Sequence, residues 1–380
     1  MKKVISILVL NGFTHDNRVL NENLSLLKNG YKSVVVAQYD EKIPQHEFIS
    51  GIEVFRLKLL TKNWPKNIFF KIIKYLEFIV RFLLQFNDAD VYHCNDIEAL
   101  PLGFLVKLLF NTSVKIVYDA HEYEIERSDI GKSIRPVFHL IEGILIKHAD
   151  LVINVSNSIA GEYERLYKID KPKLVLNCPR YKPIEKKNLL REELGISNDQ
   201  KIFLYQGALS SVRGLKKLLT CFSNMEKNKN VVVFMGYGPM EDEIKKCKSK
   251  NVYYHEAVSP QYLLDYTSSA DYGIFICDNI CKSYYYCLPN KLFEYLHAGL
   301  PVIVSDLYEL GDFVERNKVG LVCRDTSVKS IQKAIEDVLL LNYNELSNNA
   351  LAISKKFCWE NQEKILISEY ANLFKNGITK

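Results

Sequence analysis

Short runs of branched apolar residues recur along this chain, separated by stretches in which apolar positions return every three or four residues. VISILVL (4–10), SVVVAQ (33–38), KIVYDA (115–120) and DLVINVS (150–156) are continuous rather than alternating. A strand of that kind must be covered on both faces, which predicts a parallel sheet with helices on each side. A second series follows: IFLYQG (202–207), VVVFMG (231–236), VYYHEA (252–257), YGIFIC (272–277), PVIVSD (301–306) and VGLVCR (319–324). Between the two series RYKPIEKKNLLREELGISNDQK (180–201) is charged, poor in strand formers, and reads as a linker. The expected architecture is α/β, two Rossmann-like doubly wound parallel-sheet domains at 1–185 and 186–356. FCWENQEKILISEYANLF (357–374) is a helix with no strand after it. Residues 357–380 are expected to pack back toward the first domain, with ligands bound in a cleft at the carboxyl ends of the strands.

Length supports this division, since 380 residues exceed one ordinary core. A hydrophobic share of 48% with 25% charged residues is that of a folded globular protein. A net charge of +5 without a concentrated basic stripe gives no reason to expect a nucleic-acid partner. Nine cysteines without a paired CxxC spacing read as reduced thiols of a cytoplasmic protein, and fit no familiar zinc arrangement. MKKVISILVLNGF opens basic and apolar but has no small-residue cleavage site, which suits a buried first strand. One segment is unusual: KNIFFKIIKYLEFIVRFLLQF (66–86) places Lys71, Lys74 and Arg81 at helical spacing among Ile, Leu and Phe. Such a helix can lie on anionic lipid, or it can be a core helix with a thin solvated stripe.

Candidate chemistry gathers at strand ends. In PNKLFEYLHAGLPVIVSD (289–306), Asn290 is placed to cap a helix starting near Lys291, and a capped N-terminus suits a phosphate. Glu294 falls one turn further along, within reach of a nucleotide hydroxyl; an ordinary capped helix fits the spacing as well. YQGALSSVRGLKKLL (205–219) sets Gly207 and Gly214 around Arg213 at a strand-to-helix turn where the backbone can approach an anion. Lys216 and Lys217 are expected on the solvated face of the following helix. GYGPME (236–241), beginning at Gly236, lacks the third glycine of a dinucleotide fingerprint. In the first domain NGFTHDNRV (11–19), HCND (93–96) and YDAHEYE (118–124) put His121, Glu122, Asp16 and Arg18 just past strand ends. Each is a candidate for a reacting centre and equally for a cap or loop hydrogen bond.

The order of NGFTHDNRV, YDAHEYE, VSNSIAGEY with LNCP, YQGALSSVRGL, GYGP and PNKLFEYLHAGLPVIVSD resembles the retaining glycosyltransferases of family 4, with the GT-B fold, from about Val4 to Phe374. The resemblance implies transfer of a sugar from a UDP- or GDP-sugar to an acceptor hydroxyl, with no essential metal. It assigns Arg213, Lys291, Asn290 and the N–H groups of Leu292 and Phe293 to the diphosphate, beside the turns at Gly207 and Gly236. Glu294 falls to the ribose, and His121 to the donor sugar. The loop at Gly12 and Phe13 would close over the diphosphate, while Asp16, Arg18 and Glu122 would be structural or face sugar or acceptor. Two departures stand out. Ala208 replaces the arginine of a common glycine-arginine-leucine turn at Gly207, Ala208 and Leu209, leaving Lys291 to stand in for the missing cation, and Tyr286 stands where many members keep a first glutamate that contacts the sugar. The implied setting is synthesis of a bacterial surface polysaccharide (lipopolysaccharide, capsule or exopolysaccharide). It implies a glycan or lipid-linked acceptor and a cytoplasmic protein touching the inner membrane peripherally through 66–86. An epimerase, a phosphorylase or a nucleotide-sugar-binding protein without transferase activity would share the fold. The first lacks extra carboxylates here and the second a cofactor lysine.

Overall fold

The computed structural model describes residues 1–9, 11–14, 16–128, 130–131, 133–225 and 229–375. It divides into two compact units, one of residues 1–176 with 362–380, the other of 177–361. The first is built on an eight-stranded sheet. Its strands are β1 (Lys3–Ile7), β2 (Lys32–Gln38), β3 (His46–Ile49), β4 (Ile52–Leu57), β5 (Val91–Asn95), β6 (Lys115–Ala120), β7 (Leu151–Asn154) and β8 (Lys173–Leu174). They lie in the order β3-β4-β2-β1-β5-β6-β7-β8, and only β3 runs antiparallel to its neighbour. The order reverses between β1 and β5, the position at which doubly wound sheets bind ligands.

The second unit holds six parallel strands, β9 (Lys201–Gln206), β10 (Asn230–Met235), β11 (Val252–His255), β12 (Tyr272–Phe275), β13 (Val302–Ser305) and β14 (Gly320–Cys323). Their order is β11-β10-β9-β12-β13-β14, with the reversal between β9 and β12. Val231 to Val233 and Ile202 to Leu204 are fully buried, as the continuous apolar runs require. The α/β fold expected from the sequence is the fold observed, with strands ending one to three residues earlier at several loops.

Four strands of the first unit are missing from the sequence reading, for physical reasons. β3 and β4 form a hairpin through Ser50 and Gly51, both with positive φ, and β8 is two residues long. β5 reads VYHCN; HCND is expected past a strand end, but His93 and Asn95 lie within the strand and both are buried. They belong to a polar network inside the unit. The segment read as a linker contains a short helix, Leu189–Leu194, whose Arg191 is buried and pairs with Asp271 at 2.6 Å. The terminal helix Trp359–Lys375 puts Tyr370 into the core of the first unit. None of the nine cysteines is in a disulfide.

Candidate active site

In the second unit the predicted residues meet at the carboxyl end of the sheet, over the reversal between β9 and β12. The helix Asn290–His297 starts one residue earlier than expected. Its cap position is Pro289, and no side chain caps it, so Asn290 is the first helical residue rather than the cap. Leu292 and Phe293 are buried and contribute only backbone. The Leu292 N–H already donates to the Pro289 carbonyl at 2.9 Å.

Lys291 turns inward, 7% exposed. Its Nζ donates to the Tyr205 hydroxyl at 3.2 Å and lies 4.3 Å and 4.8 Å from the ring centres of Tyr205 on β9 and Phe275 on β12. Burial, reinforced by the nearby Arg213 charge, pushes its pKa down to about 7, against a partial pull upward from Glu294. An ammonium held in so dry a place is poised to gain from an arriving anion. Gly207, at φ +109°, faces it: a Cβ there would stand 3.3 Å from Lys291 Nζ. Gly236 is more constrained, since its Cβ would fall 2.0 Å from the Gly207 carbonyl oxygen. The two glycine turns thus touch backbone to backbone. Leu209 N–H donates to the Tyr237 carbonyl at 2.8 Å, and the Met240 N–H to the Leu209 carbonyl at 3.1 Å.

Arg213 ends a single 3-10 turn, Ser211–Arg213. Burial disfavours its charge, but the facing Tyr205 and Tyr284 hydroxyls hold its pKa above the ordinary value. Glu294 is oriented by a relay. Gln206 Nε2 donates to its carboxylate at 2.5 Å, and Thr267 Oγ1 donates to Gln206 Oε1 at 2.8 Å. Burial raises the Glu294 pKa, with Gln206 and Lys291 opposing. Tyr286 is half-buried in an aromatic cluster, with ring centres 5.1 Å from Tyr285 and 6.0 Å from Tyr308. Lys217 is not solvated as expected; it is half-buried and donates to Asp278 at 2.5 Å and Thr326 at 2.7 Å. Lys216 is exposed.

In the first unit His121 follows β6. Its Nε2 lies 3.2 Å from Asp119 and its Nδ1 3.4 Å from Asp96. Burial works against the imidazolium, yet Asp96 and Asp119 outweigh it and hold the pKa at about 10. Arg18 does not reach an acceptor. It is 2% exposed, grips both Asp119 oxygens at 2.8 and 2.9 Å, and donates to the Val175 carbonyl at 2.7 Å. Burial opposes the Asp119 charge, but Arg18 and then His121 keep its pKa far below the carboxylate range. Behind it His93, whose pKa burial pushes down, pairs with Tyr370 at 2.6 Å, and burial and then Asp119 push the Glu22 carboxyl well above the usual carboxylate range.

Asp16 caps the helix Asn17–Lys28 by accepting from the Val19 N–H at 3.1 Å. The Phe13 side chain joins the core with Leu8, Val19 and Val35, so only its backbone, at φ 55°, can take part in a loop over a ligand. The Gly12 carbonyl accepts from Arg56 at 2.7 Å. Glu122 is exposed, and its N–H donates to Glu124 at 3.3 Å.

Glu22, Asp119 and His121 lie close enough to hold a cation, but the donor set does not fit one. Arg18 occupies both Asp119 oxygens and the His121 imidazolium shares them, so positive charge is already in place. Sequence reasoning missed Gln206, Thr267, Glu22, His93, Asp119 and Tyr370. For Asp119 and His93 the signal was a charged or polar residue inside an otherwise apolar strand run; for Tyr370 the sequence offers none.

Residues 186–356 match the family described as Glycosyl transferases group 1, and residues 18–178 match Glycosyltransferase Family 4. An uncharacterised glycosyltransferase of Methanocaldococcus jannaschii is 25% identical over 91% of this chain and 90% of its own length. The chitobiosyldiphosphodolichol beta-mannosyltransferase of Candida albicans is 22% identical over 89% of this chain and 81% of its own. Among solved structures, sucrose-phosphate synthase from Thermosynechococcus elongatus superposes with a TM-score of 0.80 at 17% identity, covering 99% of this chain and 100% of that one. HepE from Anabaena, solved in complex with UDP-glucose, gives 0.72 at 15% identity, covering 98% and 100%. The structural likenesses carry the fold.

Proposed function

The chain belongs to the glycosyl transferases group 1, enzymes of the GT-B fold, and on that premise we propose what it transfers and how. The donor is a nucleoside diphosphate sugar, bound by the second unit. The acceptor is the hydroxyl of a lipid-linked glycan, in assembly of a surface polysaccharide, and no essential metal takes part. One observation carries the donor reading: Lys291, buried between two rings, and Arg213 sit where two glycine turns bring backbone close, one helical turn from Glu294, which Gln206 holds in place. Breaking the anomeric bond leaves negative charge on the diphosphate. Fixed cations in a dry setting stabilise that charge without a metal or a proton donor. Glu294, already oriented, is placed to accept hydrogen bonds from ribose hydroxyls.

Retention of the anomeric configuration is part of this reading, as the resemblance to the retaining glycosyltransferases of family 4 implies. Relatives favour a second reading. Those named beta-mannosyltransferase make a beta linkage, and inversion of an alpha donor would need a base to take the acceptor proton. The UDP-glucose complex of HepE and the diphosphodolichol in the name of the Candida relative support a nucleotide donor and a lipid-linked acceptor. We assign His121 to the donor sugar, Tyr286 to its recognition in place of a glutamate, and residues 66–86 to the bilayer that carries the acceptor.

A panel of UDP-, GDP- and dTDP-sugars screened by thermal shift tests the donor reading, since a ligand stabilises the folded state in proportion to occupancy. One nucleotide class should raise the melting temperature, and anomeric proton NMR of the product then reads retention or inversion. No shift with any donor at millimolar concentration contradicts the reading.

A further inference from the structure

The helix Ile68–Gln85 is apolar on both sides. Phe78, Ile79 and Phe82 are buried against the sheet, while Ile68, Ile72, Leu76, Val80 and Leu84 recur every fourth residue on the outside, each more than half exposed. Among the described residues no helix is long and apolar enough to cross a membrane. The stripe is not isolated. The helix Leu100–Leu109 packs against both Ile68–Gln85 and Arg135–Leu145, placing the three side by side. The middle helix shows Leu108 and Leu109, and the third shows Val137, Leu140, Ile141 and Ile144 at helical spacing, all exposed. An apolar surface of this extent is unusual on a protein that covers it with nothing.

Charge decides what fits it. The three helices contain two carboxylates, and both are withdrawn. Glu77 accepts from the Leu60 and Thr61 N–H groups at 2.7 and 2.9 Å. Glu142 is fully buried, accepting from the hydroxyls of Tyr118, Tyr163 and Tyr167 at 2.5 to 2.7 Å. The cations divide: Lys74 turns in to the Lys62 and Trp64 carbonyls, Arg81 pairs with Glu77, Lys107 with Asp150 and Arg135 with Glu126, whereas Lys71, and Lys66 and Lys147 just beyond the helix ends, are exposed. The three helices show exposed cations but no exposed carboxylate, so pairing two copies through them would set like charges together. Against an anionic bilayer the same cations meet headgroups while the apolar side chains enter the acyl boundary.

We infer that Ile68–Gln85 and Arg135–Leu145, joined by Leu100–Leu109, form one docking face for an anionic lipid bilayer. This rests on the reading that 66–86 touches the membrane, and extends it to a second helix that the sequence did not single out. The test is flotation of the full chain with phosphatidylcholine vesicles and with vesicles also holding phosphatidylglycerol, at low salt. It compares wild type, I72E/V80E and L140E/I144E, with circular dichroism confirming the fold; all four positions are exposed. The wild type should float with the anionic vesicles, and each double variant should lose at least tenfold in bound fraction. Normal flotation of L140E/I144E with loss in I72E/V80E overturns the two-helix face while leaving the reading for 66–86 intact. No flotation of wild type overturns both. A dimer that either variant breaks, with flotation unchanged, assigns the face to a second copy and overturns the lipid assignment.

Discussion

Replacing Lys291 with Met should stabilise the protein while disabling its donor site, and the effect should fade as pH rises. A folded-state pKa of about 7 against an ordinary value of 10.5 means that the unfolded chain binds more protons between those values. Stability of the wild type therefore climbs with pH through that window. The full span of the shift is worth roughly 5 kcal/mol, of which about 2 kcal/mol falls between pH 7 and 9. Met keeps most of the length that sits between Tyr205 and Phe275 and carries no charge, so the variant has no such climb. Urea unfolding at pH 7, 8 and 9, followed through the second unit, should show K291M ahead at pH 7, with the lead narrowing by about 2 kcal/mol at pH 9. Calorimetry should show that K291M binds UDP, used as probe, at least tenfold more weakly. Parallel pH curves for the two proteins would refute the buried-ammonium argument, and unchanged UDP affinity would remove Lys291 from the site.

Gln206→Ala should weaken nucleotide binding about tenfold through loss of a charge-assisted hydrogen bond that fixes Glu294, and Glu294→Ala should weaken it at least as much; calorimetry reads both. His121, with its pKa raised to about 10, should remain an imidazolium at pH 8.5 in histidine NMR. Its contribution to stability is full below the unfolded pKa near 6.5 and is lost as pH rises through about 10, and Asp96→Asn should lower that upper limit. Gly236→Ala should cost at least about 2 kcal/mol in unfolding, because the added Cβ meets the Gly207 carbonyl at a φ that L residues rarely adopt.

Much of this fold was legible because it rests on burial. Runs such as VVVFM must be covered on both faces, and a parallel sheet does so wherever the turns fall. What the pattern hid was polar burial. His93 and Asp119 look like surface residues in isolation and are held inside by Arg18, His121 and Tyr370, which reach them from distant positions. The candidate site divides the same way. Arg213, Lys291 and Glu294 sit in short motifs with a glycine turn or a helix start to mark them. Of the partners around them, Tyr205 and Gln206 open the motif YQGALSSVRGL without a feature that gives away their roles, while Phe275 and Thr267 come from other elements and carry no local mark. Phe13 shows the converse: it stands in a recognisable loop motif, yet its side chain serves the core.

The account turns on Arg213 and Lys291 as the charges that receive the departing diphosphate. The direct measurement is release of nucleoside diphosphate from the donor that stabilises the chain, in the presence of acceptor, for wild type and Arg213→Ala. Turnover should fall at least a hundredfold, about 3 kcal/mol of transition-state stabilisation, with donor binding weakened by less than that factor. Near-normal turnover in Arg213→Ala would contradict the account at its centre.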